Sequence, residues 1–184
     1  MDMTLSEATA RVGRPADDIS RALASFVRSI LSADSPYDRF IDGNRTALTA
    51  EEQTGLQIFR GKGNCTACHV GPTFSDERFH NTGIAWRDGR LHDEGRAAVT
   101  SLEADRGAFK TPTLGEISLT APHHGSLGTL EDVVEYYDRG GNRNSGLDPE
   151  LRLLKLTDAE KRALAAFLHA LTGTVVEGPH SDRR

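Results

Sequence analysis

The two cysteines of this 184-residue chain lie three positions apart, and a histidine directly follows the second. Cys65, Cys68 and His69 form the pattern C-x-x-C-H, which is typical of the covalent attachment of haem c. Two thiols at this spacing can each add to one vinyl group on the same porphyrin edge, and the next residue presents its imidazole to the iron. The motif therefore predicts one haem c, held through Cys65 and Cys68, with His69 as the proximal ligand.

Three other uses of a cysteine pair are less well supported. A disulfide across so short a loop would remove little entropy from the unfolded chain. A thioredoxin-like redox pair needs a preceding strand in a β-α-β arrangement, whereas a helical segment precedes this motif. A zinc-bound interaction module would need two further closely spaced ligands, and among the remaining histidines only His123 and His124 are neighbours. Zinc stays a minor alternative.

Residue type reduces the number of candidates for the second axial ligand. Methionine, the usual second ligand of cytochromes c, occurs only at positions 1 and 3, ahead of the first predicted helix. A helix predicted over 129–138 has an apolar face at i, i+3, i+4 and i+7, formed by Leu130, Val133, Val134 and Tyr137. Tyr137 is therefore expected to point into the core, whereas Tyr136 is not. An ordinary core tyrosine would show the same spacing, and His123 and His124 compete for the role, so spacing leaves the ligand open.

The elements around the motif are expected to be helices. Apolar periodicity predicts helices over 17–32, 50–60 and 129–138, and a fourth that begins after Thr157. Capping boxes are predicted at Thr49 with Glu52 and at Thr157 with Glu160, and Gly173 suits the C-cap of the last helix. Residues 71–128 show no sustained period and no strand is predicted, so this long irregular region is expected to wrap a large apolar group. The predicted fold class is all-α, a cytochrome c-like helical bundle around one covalently bound haem with long irregular loops.

Composition excludes several classes of partner. The formal net charge is −5 and the basic residues are scattered, which disfavours a nucleic-acid partner. No apolar run is long enough for a membrane span, and the N-terminus has no signal peptide.

Several separated stretches occur in the order found in a known family. They are "SPYDRFIDGN", "ALTAEEQTGLQIFRGKGNCTACHVGPTFSDERFHNTGI", "DRGAFKTPTL", "LTAPHHGSLGTLEDVVEYYDRGG" and "LTDAEKRALAAFLHALTG". Together they resemble the C-terminal haem domain of bacterial di-haem cytochrome c peroxidases, especially the MauG-like branch. The resemblance implies a tail or linker remnant over 1–15, a cytochrome c-like haem domain over 16–173 and a C-terminal tail over 174–184.

The resemblance also implies roles for individual residues. Tyr137 stands where the MauG-like branch places a distal tyrosine ligand, which strengthens its assignment. Thr120 and Pro122 match positions whose main-chain carbonyls contribute to a calcium site in the family, and carbonyl oxygens suit that ion. The sequence departs from the family at His123 and His124, where a longer aromatic and histidine stretch is shortened, and at Gly115-Glu116, where the family has Arg-Asn.

The function implied by the resemblance is that of a haem c electron-transfer domain, which relays or stores oxidising equivalents for the reduction of hydrogen peroxide. The family's N-terminal haem domain, which binds peroxide, is absent from the sequence, so enzymatic activity is expected only together with such a domain. A small electron-transfer protein or a protein substrate is the expected further partner. The alternative is a stand-alone mono-haem electron carrier without peroxidase activity. A periplasmic location is expected, because haem c is attached outside the bacterial cytoplasm.

Overall fold

The computed structural model of the chain describes residues 4–120 and 127–176, which form two compact units. The first unit contains residues 4–33 and 174–176, and the second contains residues 34–173. The first unit consists of helices α1 (Leu5–Val12) and α2 (Ala16–Ser29) and of strands β1 (Leu31–Ala33) and β6 (Thr174–Val176), which pair antiparallel.

Helix α2 has the position that its apolar spacing predicts, but it does not contribute to the core. None of its side chains is buried, and Leu23, Phe26 and Val27 are 57–62% exposed. The expectation that this helix helps to enclose the core is therefore wrong. Amphipathic spacing predicts a helix and an apolar face, but it does not predict which part of the chain covers that face.

The second unit is built mainly of helices joined by irregular segments. Its helices are α3 (Pro36–Ile41), α4 (Ala50–Arg60), α5 (Ala97–Thr100), α6 (Ile117–Thr120), α7 (Leu130–Asp138) and α8 (Asp158–His169), with single 3₁₀ turns at Cys65–Ala67 and Glu103–Asp105. No helix within 4–120 or 127–176 is long and apolar enough to cross a membrane.

Short strands also occur, which corrects the expectation that the chain has none. In the second unit β2 (Phe79–His80) pairs with β5 (Phe109–Lys110), and β3 (Trp86–Arg87) pairs with β4 (Arg90–Leu91), both antiparallel. Two- and three-residue strands are too short to show a period of two in sequence. The unit is therefore predominantly helical, and the description all-α is too narrow.

Helices α4 and α8 form the centre of the core. Gly55 of α4 lies against the backbone of Ala163 in α8, where a Cβ atom would overlap the Ala163 carbonyl oxygen. Phe59 of α4 and Phe167 of α8 are almost completely buried, with ring centroids 5.3 Å apart. The surrounding core side chains come from α4, α6, α7 and α8 and from Leu48, Leu114 and Leu156.

Capping fixes where these two helices begin. The hydroxyl of Thr49 accepts a hydrogen bond from the Glu52 N–H at 3.2 Å, and the Glu52 carboxylate accepts one from the Thr49 N–H at 2.6 Å. Thr157 and Glu160 form the same box at the start of α8, so both predicted boxes are confirmed. The predicted C-cap is wrong, because α8 ends at His169 and Ala170, not Gly173, caps it in a right-handed conformation.

Candidate haem attachment site

The C-x-x-C-H motif forms a tight turn directly after α4. The Gly63 N–H donates to the Ile58 carbonyl at 2.8 Å, which reverses the chain, and Asn64 then adopts a left-handed conformation with φ of 54°. The His69 N–H donates to the Cys65 carbonyl at 2.9 Å, so the motif closes on itself. Cys65 packs partly against the core cluster. Both thiols and the imidazole are thus carried by one short turn fixed to the end of α4.

The orientation of His69 is set by a carbonyl group five residues further on. Its Nδ1 lies 2.7 Å from the carbonyl oxygen of Phe74. A carbonyl can only accept, so Nδ1 carries the hydrogen and Nε2 keeps the lone pair that binds a metal. Burial, partly offset by this hydrogen bond, lowers the pKa of His69, which favours the neutral, ligating form.

Aromatic packing holds that carbonyl in place. The Phe74 ring lies 5.3 Å from the Tyr37 ring and 5.9 Å from the Phe59 ring, and Phe167 contacts both of these neighbours. Phe74 has a φ of 52°, an uncommon value for a bulky residue, which tertiary contacts must stabilise. Core packing therefore fixes the orientation of the imidazole through the Phe74 carbonyl. No sequence pattern predicts this contact.

The thiols are poorly suited to dithiol redox chemistry. Both cysteines are free, and burial is the main cause that raises the pKa of Cys65 to about 12 and the pKa of Cys68 to about 11. Redox-active cysteine pairs depend on a lowered thiol pKa and on a thiolate at neutral pH. The structure therefore disfavours the thioredoxin-like alternative.

Tyr137 of α7 lies close to the two cysteines, far from them in sequence. Its hydroxyl is buried and bonds to the Thr82 side chain, although part of the residue stays exposed. The pKa of Tyr137 is raised well above its ordinary value, first by burial, then by Tyr136, and then by Cys68 and Cys65. The structure thus brings the predicted distal tyrosine and the attachment thiols into one region.

The prediction that Tyr136 points away from the interior is wrong. Tyr136 is only 2% exposed, its hydroxyl donates to the Thr82 carbonyl at 3.0 Å, and it accepts from the Asn142 N–H at 3.1 Å. Loop residues cover this second face of α7, so helical spacing alone could not reveal its burial. Tyr136 holds α7 against the loops, and its hydroxyl is already used for these two hydrogen bonds.

An ionic contact at the end of α7 fixes the helix on α8. The side chain of Asp138 accepts from the Leu156 N–H at 2.8 Å and contacts the Lys161 ammonium at 2.9 Å. The same ammonium lies 2.6 Å from the Glu135 carboxylate. Tyr137 therefore occupies a helix that is tied at its C-terminal end.

Of the other predicted metal ligands, the structure describes only Thr120. Thr120 is the exposed last residue of α6, and its hydroxyl bonds to the Glu116 carbonyl at 3.3 Å. Pro122, His123 and His124 lie outside the described residues. Across 4–120 and 127–176, no three His, Cys, Asp or Glu side chains are grouped to hold a metal ion, so this part offers no zinc site.

These residues fit a haem c. The cysteine turn supplies two free thiols and an imidazole whose Nε2 keeps its lone pair, and the Tyr137 hydroxyl lies near the thiols. The donor set matches what covalent attachment and axial ligation require.

Comparisons with known proteins identify the family of the chain. The cytochrome-c peroxidase IdrP2 of Denitromonas iodatirespirans is 38% identical over 178 residues, which cover 82% of this chain and 47% of that protein. The methylamine utilization protein MauG of Methylorubrum extorquens is 37% identical over 155 residues, covering 83% of this chain and 43% of that protein. No family model matches the chain.

A solved structure shows the same fold. A MauG-like protein associated with microbial copper homeostasis superposes with a TM-score of 0.71 and 32% identity, over 77% of this chain and 52% of that chain. The fold and the motif together define a MauG-like haem protein. The chain belongs to the family of bacterial cytochrome c peroxidases and MauG proteins, and it spans about half the length of the curated relatives it matches.

Proposed function

We propose that the chain is a haem c electron-transfer domain that relays or stores oxidising equivalents for peroxide reduction by a longer or associated protein. The observation that carries the proposal is that Tyr137 lies near Cys65 and Cys68 while His69 keeps its Nε2 lone pair, because these two side chains could then both bind one haem iron. Haem c supplies one-electron redox chemistry when bound. If His69 and Tyr137 both bind the iron, peroxide would have to bind elsewhere.

Each residue then has a defined task. Cys65 and Cys68 would form the two thioether bonds. The Phe74 carbonyl keeps the His69 hydrogen on Nδ1, so Nε2 would be available to bind the iron. Tyr137 would bind as phenolate, a hard anionic ligand that stabilises the ferric state and so lowers the potential relative to methionine. The raised pKa of Tyr137 favours its protonated form, and a cation bound nearby would lower that pKa.

We infer further partners from the family relationship. A second haem domain would bind peroxide, and a small electron-transfer protein or a protein substrate would exchange electrons with the pair. Carbonyl groups of Thr120 and Pro122 would contribute to a calcium ion at the boundary between the domains. A periplasmic location follows from the chemistry of haem c attachment.

The test is a comparison of reversible reduction with peroxide turnover by the chain alone, after co-expression with a haem c attachment system. We expect reversible one-electron reduction and no turnover of hydrogen peroxide in the presence of a reduced donor. Turnover by the isolated chain would contradict the assignment of peroxide binding to another domain. Restoration of turnover by a separate haem domain would distinguish a peroxidase component from the alternative, a stand-alone mono-haem electron carrier.

A further inference from the structure

Three side chains beside the C-x-x-C-H turn form a closed hydrogen-bonded group, here called the carboxylate–histidine cluster: Asp76, His80 and Asp148. His80 Nδ1 lies 2.6 Å from Asp148 Oδ2, and its Nε2 lies 2.9 Å from Asp76 Oδ2. The three side chains are only 13–17% exposed. Ionised carboxylates accept hydrogen bonds and do not donate them, so both ring nitrogens carry hydrogens. The cluster therefore holds an imidazolium between two carboxylates, with a net charge of −1.

The cluster is connected to both ends of the cysteine pair. On one side the Asp76 N–H donates to the Cys68 carbonyl at 2.9 Å. On the other side Asp148 Oδ1 accepts from the Glu150 N–H at 2.9 Å, and the Glu150 carboxylate accepts from the Asn64 side-chain amide at 2.8 Å. Asn64 directly precedes Cys65. The imidazolium thus links the two loops that flank the attachment turn.

The charges of the cluster contribute to the pKa shifts of Cys68 and His69. Burial is the main cause of the raised pKa of Cys68, and Asp148, Asp76 and Glu150 raise it further. Burial lowers the pKa of His69, while the charge of Asp76 raises it and the charge of His80 lowers it. A change of charge at His80 therefore changes the electrostatic potential at the position where the haem would bind.

His80 is the member of the cluster that loses its charge as pH rises through its raised pKa. Burial alone would lower its pKa, but hydrogen bonds and charge interactions with Asp148 and Asp76 more than offset this and raise it. Burial would raise the pKa of Asp76, but hydrogen bonds from Arg78, His80 and Thr111 lower it to about 2, so this carboxylate stays ionised.

Three other titratable groups near the cluster have partners of their own. Lys110 of β5, which pairs with β2, contacts the Glu77 carboxylate at 2.6 Å. Glu150 bonds to Asn64, and the His69 imidazole bonds to the Phe74 carbonyl. The two carboxylates of the cluster are thus the charges in direct contact with His80.

We propose that His80 is a positioning and charge-setting residue for the haem: it ties the flanking loops together when protonated, and its proton loss lowers the potential of the bound haem. The inference rests on the proposed haem attachment. A one-electron donor protein, or an electrode in the test, adds one electron to the haem site. When His80 has lost its proton the cluster has a charge of −2, which opposes that electron, so the midpoint potential falls as pH rises. Between the pKa of His80 in the oxidised protein and its higher pKa in the reduced protein, electron uptake is accompanied by the uptake of at most one proton, bound by His80. By linkage, reduction raises the proton affinity of His80 by the same factor.

The experiment measures the midpoint potential of the haem-loaded chain against pH, from about pH 5 to about pH 10, a range that brackets an upward-shifted histidine. Wild type, H80Q, D148N and the control H92Q are compared. His92 is exposed, and its Nε2 lies 3.3 Å from the backbone carbonyl oxygen of Arg87. The wild type and H92Q should show a potential that falls with pH, whereas H80Q should lose the part of the slope that belongs to His80.

The variant D148N separates the role of the cluster from damage to the fold. It keeps the side-chain shape but removes one of the two charges on His80, so the falling part of the curve should move to lower pH by about one to two units. A slope in H80Q equal to that of wild type, or no displacement in D148N, would overturn the proposal.

Thermal unfolding of the same proteins gives a second readout. A histidine whose pKa is raised in the folded state stabilises it fully below the unfolded pKa, and this stabilisation is lost as pH rises through the folded pKa. The Tm advantage of wild type over H80Q should therefore shrink at alkaline pH, and an advantage independent of pH would also count against the proposal.

A covalent haem stain is performed before these measurements. Absence of haem refutes the proposed function together with this inference, whereas bound haem with an unchanged H80Q slope refutes the inference alone.

Discussion

Tyr136 and Tyr137 are neighbours in α7 and have different environments. The hydroxyl of Tyr136 makes two hydrogen bonds to loop backbone, whereas the pKa of Tyr137 responds to both cysteines. The two hydroxyls therefore have different partners, and Tyr137 is the one whose surroundings include the attachment thiols. This difference gives each residue its own expected phenotype.

Replacing Tyr137 by Phe should change the ferric absorption spectrum of the haem-loaded chain, because the iron loses an oxygen ligand and becomes five-coordinate or takes another ligand. Y136F is the matched control. It should keep the ferric spectrum but lower the free energy of unfolding by about 1–2 kcal/mol, because a buried hydroxyl and its two hydrogen bonds are lost. A Y137F spectrum identical to that of wild type would remove Tyr137 from the site.

The attachment residues could be predicted from sequence, but their supports could not. C-x-x-C-H is a local pattern, so Cys65, Cys68 and His69 are recognisable without a fold. Phe74 acts through its carbonyl, and any residue type has one. The burial of Tyr136 depends on Thr82 and Asn142, which lie in loops without periodicity. His80, too, becomes recognisable only when folding brings Asp148 to its ring.

At the scale of elements, the crossing of α4 and α8 positions the haem motif, because the motif begins where α4 ends. Gly55 permits that crossing, since its Cα lies against the Ala163 backbone and the Phe167 Cβ. A side chain here would meet backbone atoms, which cannot move aside as the end of a flexible side chain can.

The variant G55A should therefore lower the free energy of unfolding by about 3 kcal/mol or more, at the upper end for overpacked cores. The higher helix propensity of alanine, worth about 1 kcal/mol, acts in the opposite direction and should not compensate. Q57A, at an exposed position of the same helix, is the control and should change stability by less than about 0.5 kcal/mol. Denaturant unfolding measures both, and a G55A protein as stable as Q57A would show that the helices are not in close contact.

The sequence predicted the long helices better than the elements between them. Capping boxes locate the starts of α4 and α8 at Ala50 and Asp158. The ladders β2–β5 and β3–β4 join two-residue strands whose pairing depends on tertiary structure, and no local signal marks them. The predicted C-cap of α8 is wrong because glycine favours this position by residue type alone, whereas the backbone leaves the helix at Ala170.

At the scale of the whole chain, the two units differ in how much apolar surface they bury. In the second unit Phe167 is 0% exposed and contacts Tyr37 and Phe59, which in turn contact Phe74 beside His69. In the first unit Phe26 is 57% exposed. The aromatic residues of the second unit therefore hold together both the core and the haem site.

Replacing Phe167 by Ala should cost about 3–5 kcal/mol of unfolding free energy, because it leaves a cavity in the core. The same replacement at Phe26 should cost less than about 0.5 kcal/mol, since the ring is largely in water. F167A should also weaken the binding of the haem iron by His69, because the Phe74 carbonyl that orients His69 loses its support. Equal losses in the two variants would contradict the difference in burial between Phe26 and Phe167.

The central claim is that Cys65 and Cys68 hold one haem covalently. The most direct measurement is intact-protein mass spectrometry of the chain after co-expression with a haem c attachment system, with peptide mapping. The wild type should carry the mass of one haem, located on the peptide that contains both cysteines, and the double variant C65A/C68A should carry none. A wild-type chain that remains at its apoprotein mass under conditions that load a known cytochrome c would contradict the account.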